Sequence, residues 1–191
     1  MVVSGRTRRR IEDTRARIVE RTWHLLATRP WAEVTVADIC EAADVAPRTF
    51  HRYFADKAEL LFSESERHED ALRASLAAHR LVPEDPTPYL SAVLEDMVDQ
   101  VAPYGAAGIA FRQQQLLANP DLRSRDLLKR ERLADLAVDA LRRGGVDPLR
   151  ARVLAGAALQ AFFGALAAWT EDGGELRALV ADATGLLWGR A

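Results

Sequence analysis

The sequence contains few of the residues that would place it among secreted or metal-binding proteins. It has a single cysteine, Cys40, which cannot form an intrachain disulfide, and its four histidines show no close metal-ligand spacing. The N-terminal segment lacks the apolar core of a secretory signal, so we expect a protein of the reducing cytoplasm. Glycine-rich phosphate loops, paired-carboxylate motifs and Ser-His-Asp patterns are also missing. We therefore expect neither an enzyme nor a bound metal or other cofactor.

Neither sign of charge is in large excess over the whole chain. The 191 residues include 26 Lys plus Arg and 28 Asp plus Glu, for a net charge of −2, and 49% are hydrophobic. This composition excludes a disordered chain and a wholly basic nucleic-acid coat, and the length fits one or two domains.

The average hides a division of charge. Residues 1–57 carry 11 basic and 8 acidic side chains, net +3, whereas residues 58–191 carry 15 and 20, net −5. Near the N-terminus, Arg8, Arg9 and Arg10 belong to a short basic arm, which fits either a contact with DNA or a solvated terminus.

Apolar residues recur three and four positions apart between capping residues, which predicts an all-α protein of about nine helices. We expect a three-helix N-terminal domain over residues 1–57 and a larger helical domain over residues 58–191. A long helix capped by Asp56 and reaching about Leu81 should link the two.

Between Val153 and Trp169 lie 17 residues of which only Gln160 is polar. A membrane-spanning helix needs about 20 apolar residues, and this run is mostly Ala and Gly, so we favour a helix covered by protein. Small residues permit close helix approach. Helices over about 148–171 and 175–188 are therefore expected to form a four-helix bundle with a second copy, making a homodimer without contact with a membrane.

Two short predicted helices lie in the first domain, Val36–Ala43 and Pro47 to about Phe54. Thr35 and Asp38 form a capping-box pattern at the start of the first, and Asp44 lies in the turn between them. Because the turn is too short for antiparallel packing, the helices must cross steeply, as in a helix-turn-helix.

The second short helix has one apolar and one basic side. Phe50 and Phe54 are one turn apart and should point inward together, which leaves Arg48, His51 and Arg52 on the outer side. An arginine on a helix in the major groove can donate two hydrogen bonds to guanine, and we expect Arg48 to read a base.

The run from Trp31 to Leu61, with its Thr49-Phe50, Tyr53-Phe54 and Lys57-Ala-Glu-Leu-Leu61 motifs, resembles the N-terminal domain of TetR-family transcriptional regulators. The resemblance implies DNA contacts at Thr35, Pro47, Arg48, Thr49, His51, Arg52, Tyr53 and Lys57. Asp44 departs from the family's usual turn glycine, and His51 departs from its usual phosphate-binding tyrosine.

The resemblance also implies a C-terminal domain that binds a small molecule and dimerises through its last two helices. Phe111-Arg112, Asn119-Pro120-Asp-Leu122 and Trp169 resemble the subset with an acyl-CoA-like ligand-binding domain. Candidate pocket residues, each of which also fits ordinary core, are Met97, Tyr104, Phe111, Arg112, Leu116, Phe162, Phe163 and Trp169.

Basic residues in the second domain allow two interpretations. Arg112 interrupts an apolar segment and suits an anionic ligand, and a basic cluster around Lys129 could hold the phosphates of a CoA-like effector. However, Asp126 and Arg130 are spaced for an i,i+4 pair, which favours a salt-bridged face.

The sequence thus predicts a homodimeric, ligand-responsive repressor. It should bind a near-palindromic operator in double-stranded DNA and be released by a small hydrophobic or acyl-CoA-like effector. The alternative is an α-helical small-molecule-binding protein or enzyme whose N-terminal hairpin is only structural.

Overall fold

The structure, a computed structural model, describes residues 5–26 and 28–189, with side chains from residue 12 onward. Within this part of the chain, the regular elements are nine α-helices and three short 3-10 helices, so the all-α prediction is confirmed. The predicted side-chain contacts of Arg8, Arg9 and Arg10 lie outside the described residues.

The nine helices are α1 (Gly5–Leu26), α2 (Val36–Ala42), α3 (Pro47–Tyr53), α4 (Ser65–Ala78), α5 (Thr87–Val101), α6 (Gly105–Ala118), α7 (Pro120–Arg143), α8 (Pro148–Asp172) and α9 (Leu176–Trp188). The 3-10 helices are Trp31–Glu33, Lys57–Phe62 and Ala102–Tyr104. The chain divides into two compact units, the first ending at Glu64 and the second beginning at Ser65.

In the first unit, α1 supplies one continuous face to the core. Ile18, Thr22 and Leu26 are spaced by four residues, so they lie along one side of the helix, and all three are buried. The Thr22 hydroxyl donates a hydrogen bond to the Ile18 carbonyl at 2.8 Å, which satisfies its buried polar group. Ile39 of α2 and Phe50 of α3 complete this core.

The prediction of one long helix from Asp56 to about Leu81 is wrong. Asp56 instead caps the short 3-10 helix, accepting a hydrogen bond from the Glu59 amide at 3.0 Å, and α4 begins only at Ser65. The Arg15 guanidinium donates to the Ser63 carbonyl, an acceptor that a continuous helix would use for its own amide four residues later. A side chain of α1 therefore helps to end the 3-10 helix Lys57–Phe62. The first unit ends at Glu64, beyond the predicted position 57.

The second unit has its core among α4, α5, α7, α8 and α9. Pro148 occupies the first position of α8, and the Asp147 carboxylate accepts hydrogen bonds from the amides of Leu149 and Arg150, both at 3.0 Å. These two residues account for the predicted helix start, which is confirmed.

Among the described residues, α8 is the one helix that is long and apolar enough to cross a membrane, a property shared by core helices of soluble proteins. Its alanines at 151, 155 and 158 are buried against the rest of the second unit. By contrast, Leu149 and Val153 are 71% and 59% exposed. α8 therefore has one side in the core and a second, apolar side that is uncovered in the single chain.

Candidate nucleic-acid interface

The turn between α2 and α3 is closed by a left-handed residue. Asp44 has a φ of 50°, and it is the one non-glycine residue with positive φ among those described. Its amide donates to the Glu41 carbonyl at 3.1 Å, and the Val45 amide donates to the Cys40 carbonyl at 3.0 Å. These two bonds form a Schellman motif, in which the left-handed position favours glycine. Asp44 thus adopts the backbone that the resemblance implied for this position.

The start of α2 is held by the predicted capping box. The Thr35 hydroxyl accepts a hydrogen bond from the Asp38 amide at 3.1 Å, and the Asp38 carboxylate accepts from the Thr35 amide at 2.7 Å. Arg29 pairs with the same carboxylate at 3.2 Å. The hydrogen bonds from Thr35, together with Arg29, lower the pKa of Asp38 to about 2. Thr35 is exposed beside this fixed helix start.

α3 separates apolar and basic side chains as its sequence predicted. Phe50 and Phe54 are buried, with their ring centroids 5.5 Å apart, and they anchor the helix in the first unit. On the opposite side Arg48, His51 and Arg52 are exposed. A helix of two turns, held by its two buried phenylalanines, thus exposes two guanidinium groups and an imidazole to solvent.

Three further predicted DNA contacts flank this basic side. Pro47 is exposed at the first position of α3, whereas Thr49 and Tyr53 are half-buried. The Arg52 guanidinium donates to the Tyr53 hydroxyl at 2.7 Å and lies 4.7 Å from the centre of its ring. Arg52 and Tyr53 therefore form one packed pair at the margin of the basic side.

Lys57 has a different environment from the arginines of α3. Its ammonium donates to the Trp31 carbonyl and, at 2.7 Å, to the Val34 carbonyl, and it lies 4.3 Å from the Trp31 ring centre. Burial lowers its pKa despite the opposing charge of Asp38. Two of its three donors therefore tie the segment before α2 to the segment after α3, a role that no local pattern around Lys57 predicts.

Sequence reasoning also missed Arg17 of α1. Its guanidinium Nε donates to the Ala43 carbonyl at 3.1 Å, at the end of α2. Arg15 of the same helix lies 5.5 Å from the Phe54 ring centre. Through these contacts with Ala43 and Phe54, the two arginines of α1 help to hold the helix-turn-helix in place. No local motif predicts such contacts, because the partners are 26 to 39 residues apart in the chain.

The residues proposed for a ligand pocket fall into three environments in the second unit. Phe162 is buried in its core, Leu116 is buried on α6, and Met97, Phe163 and Trp169 are partly buried against that core. Tyr104 is exposed, and its hydroxyl lies 3.2 Å from Nε2 of His68. Phe111 and Arg112 are half-buried on α6.

Arg112 belongs to a buried ion-pair network. It pairs with the Asp126 carboxylate at 2.8 Å, and Arg130 pairs with the other oxygen of the same carboxylate at 2.7 Å. The side chain of Asp126 is only 8% exposed. Burial alone would raise the pKa of Asp126, but the two arginines outweigh it and the pKa lies below its ordinary value. The predicted Asp126–Arg130 pair is confirmed, and Arg112 is its third member.

Comparison with known proteins relates the first unit to one family. Residues 18–63, which contain the helix-turn-helix, match the family described as bacterial regulatory proteins, tetR family. The HTH-type transcriptional regulator TcmR from Streptomyces glaucescens is 29% identical over 97 residues, which are 51% of this chain and 42% of that protein. The match therefore spans less than half the length of that relative.

Solved structures extend the likeness over most of the chain. The fatty acid degradation regulator FadR from Bacillus halodurans is 21% identical, with a TM-score of 0.65 over 92% of this chain and 98% of its own. FadR from Bacillus subtilis, solved in complex with stearoyl-CoA, is 19% identical, with the same TM-score and the same coverage of both chains. At these identities the likeness establishes the fold, and each of these proteins is described as a regulator. Residues 18–63 of this chain thus match the TetR family of bacterial regulatory proteins, and the chain shares its fold with the two FadR structures.

Proposed function

We propose that this chain is a transcriptional regulator of the cytoplasm, a homodimeric repressor that binds a near-palindromic operator and is released by a small effector. The observation that carries the proposal is the basic side of α3. Arg48, His51 and Arg52 are exposed there while Phe50 and Phe54 hold the helix from the other side. An α-helix of this kind fits the major groove of B-DNA.

Within that docking mode, the side chains divide between base and phosphate contacts. Arg48, near the start of α3, has the guanidinium geometry for two hydrogen bonds to guanine O6 and N7. His51 and Tyr53 offer single donors suited to phosphate oxygens. The Thr35 hydroxyl donates its one hydrogen to the Asp38 carboxylate at 2.6 Å, so a phosphate contact by this hydroxyl requires that hydrogen bond to break. Lys57 has one donor that is not engaged by the Trp31 and Val34 carbonyls, so we assign it at most one phosphate contact.

The exposed apolar side of α8 and α9 supports the proposed homodimer. Leu149, Val153 and Leu186 are each more than half exposed, which is unusual for large aliphatic side chains that lie on two packed helices. A Cβ built at Gly156 or Gly164 of α8 would meet nothing within 4 Å. A second copy related by a twofold axis can approach closely over this side, and its helices would complete a four-helix bundle. Two recognition helices would then read half-sites about 34–36 Å apart.

An effector of the second unit completes the proposal. The FadR structure from Bacillus subtilis contains stearoyl-CoA, and it shares the fold of this chain. We therefore assign this chain a small hydrophobic or acyl-CoA-like effector whose binding lowers its affinity for the operator. By linkage, operator DNA must lower the affinity for the effector by the same factor.

The test is selection of duplexes from a random pool, followed by titration of the enriched sequence at several salt concentrations. We expect specific affinity that falls steeply with salt, because each neutralised phosphate releases counterions. Arg48→Ala should weaken binding by about 1 to 3 kcal/mol and relax the preference at one base position. Arg142→Ala, which removes an exposed arginine of α7, is the matched control and should bind as the wild type does.

Two results would contradict parts of this proposal. If no duplex is bound better than random sequence at physiological salt, the regulator proposal fails and the helix-turn-helix is only structural. If Arg48→Ala weakens binding to every sequence equally, Arg48 contacts phosphate and another residue reads the base.

A further inference from the structure

A basic cluster formed by Arg112, Lys129 and Arg130 lies among α4, α6, α7 and α8. Arg112 and Arg130 share the single Asp126 carboxylate. Lys129 is half-buried, and among the described residues it forms no hydrogen bond and no ion pair within 4.0 Å. The neighbouring Glu69 carboxylate is near enough to influence Lys129, but its ion pair, at 3.7 Å, is with Arg73. In these contacts the cluster sets three cations against the one Asp126 carboxylate, and Lys129 has no carboxylate partner among the described residues.

The pKa values of Lys129 and His68 are lowered beside this excess of positive charge. Burial, with a further contribution from Arg112, lowers the pKa of Lys129 to about 8. On α4, burial and the charges of Lys129, Arg67 and Arg112 lower the pKa of His68 to about 4, so His68 is neutral at pH 7. A half-buried ammonium is stabilised when an anion lies beside it, and in the part of the chain that the structure describes no carboxylate contacts Lys129.

An apolar surface lies directly beside the same charges. The Arg130 guanidinium is 4.0 Å from the centre of the half-buried Phe163 ring, which packs against the core of the second unit. An arginine stacked on an aromatic ring and fixed by a carboxylate is held in one orientation. A ligand that meets both Lys129 and Phe163 must therefore combine a negative charge with an apolar body.

We infer that the effector of this chain is an amphipathic anion, whose charged group binds Lys129 and Arg112 and whose apolar body packs against Phe163. The inference rests on the proposed ligand-responsive function and gives that ligand a chemical class. The shared chemistry is an anionic oxygen group on an alkyl chain. Its source is either the carboxylate of a fatty acid or a phosphate of an acyl-CoA.

The experiment measures direct binding of decanoate, decanoyl-CoA and decanol to the full-length protein by calorimetry, without DNA. Wild type should bind at least one of the two anions about tenfold or more tightly than decanol. Lys129→Met should reduce the affinity for that anion to the level of decanol and leave decanol binding unchanged. Arg132→Met, which removes an exposed cation from the same helix, is the matched control and should behave as the wild type.

The two anions separate the two sources. Loss of decanoate binding in Lys129→Met identifies a carboxylate at Lys129, whereas loss restricted to decanoyl-CoA identifies a CoA phosphate. Equal binding of anions and decanol by wild type, absence of binding by all three, or an unchanged anion preference in Lys129→Met would each overturn the inference. Operator binding by Lys129→Met without ligand is measured separately, so failure of the regulator proposal is distinguished from failure of this one.

A pH series gives a second readout. The groups facing Lys129 are His68 and Glu69 from α4, Arg112 from α6, and Asp126 and Arg130 from α7. Between pH 7 and 9 His68, with a pKa of about 4, stays neutral, whereas Lys129, with a pKa of about 8, loses its proton. Decanoate affinity of wild type should fall by up to about tenfold over this range because the anion requires the protonated amine. The same profile in Lys129→Met would refute this assignment.

Discussion

Replacement of Asp44 tests the backbone on which the orientation of α3 depends. Asp44 is exposed and left-handed, with a φ of 50° at the position that closes α2. A left-handed conformation costs an ordinary L-residue about 1–2 kcal/mol, and aspartate and asparagine tolerate it better than most. Glycine has no such cost, but it gains entropy in the unfolded chain, which opposes the benefit by about 0.5–1 kcal/mol.

These quantities give an order of stability with three variants. Asp44→Gly should be as stable as wild type or more stable by about 0.5 kcal/mol, and Asp44→Ala should be less stable by about 0.5 to 1 kcal/mol. The spread of about 1 kcal/mol between glycine and alanine corresponds to about 2–4 °C in Tm for a chain of this length. Asp44→Asn removes the charge and keeps the tolerance of left-handed backbone, so it should match the wild type.

The assay is urea and thermal unfolding followed by circular dichroism, with hydrogen exchange of residues 36–54 to locate the change. Faster exchange in Asp44→Ala should be confined to α2, the turn and α3. An alanine variant as stable as the glycine variant would refute the left-handed turn. If Asp44→Asn shifts stability as much as Asp44→Ala does, the carboxylate rather than the backbone is responsible.

Three further perturbations address the ion-pair network, the Lys57 contacts and the proposed dimer. Asp126→Asn should destabilise the protein by about 3 kcal/mol because two arginines lose their buried carboxylate, with exposed Asp135→Asn as control. The pKa of Asp126 is lowered in the folded state, so its contribution to the free energy of unfolding is present above about pH 4 and is lost as the pH falls through the folded pKa. Asp126→Asn should therefore make the stability depend less on pH in the acid range, and an unchanged pH profile would contradict this. Lys57→Met should lower stability by about 1–2 kcal/mol in urea unfolding, whereas an unchanged Tm with weaker DNA binding would make Lys57 a phosphate contact alone. Leu186→Arg should give monomers in sedimentation, and Leu117→Arg, which changes another exposed leucine but on α6, should not. Dimers in both variants would place the interface elsewhere.

The helix-turn-helix could be predicted closely because its signals are local. Thr35 and Asp38 cap α2, Pro47 starts α3, and the spacing of Phe50 and Phe54 fixes the buried side. Each of these features depends on residues within one or two helical turns, and so the bounds of α2 and α3 agree with the prediction to one residue.

The elements that escaped prediction depend on distant partners. No glycine or proline marks the break between the 3-10 helix Lys57–Phe62 and α4. At this break the Arg15 guanidinium, 48 residues away in the chain, donates a hydrogen bond to the Ser63 carbonyl. Likewise, the carboxylate shared by Arg112 and Arg130 combines a local i,i+4 pair with a contact across two helices. The i,i+4 pair could be read from spacing, but the crossing of α6 and α7 sets the other contact.

The contact of Arg17 with the end of α2 has a consequence for mutational scans of DNA binding. The Arg17 guanidinium donates to the Ala43 carbonyl at the end of α2. Its removal would therefore make the position of α3 less fixed without removing a group that binds phosphate. In a binding assay at one salt concentration, Arg17→Ala would resemble the loss of a DNA contact. A salt titration separates a lost DNA contact from a less fixed α3. A less fixed α3 lowers the affinity for DNA at every salt concentration and leaves the number of released counterions unchanged.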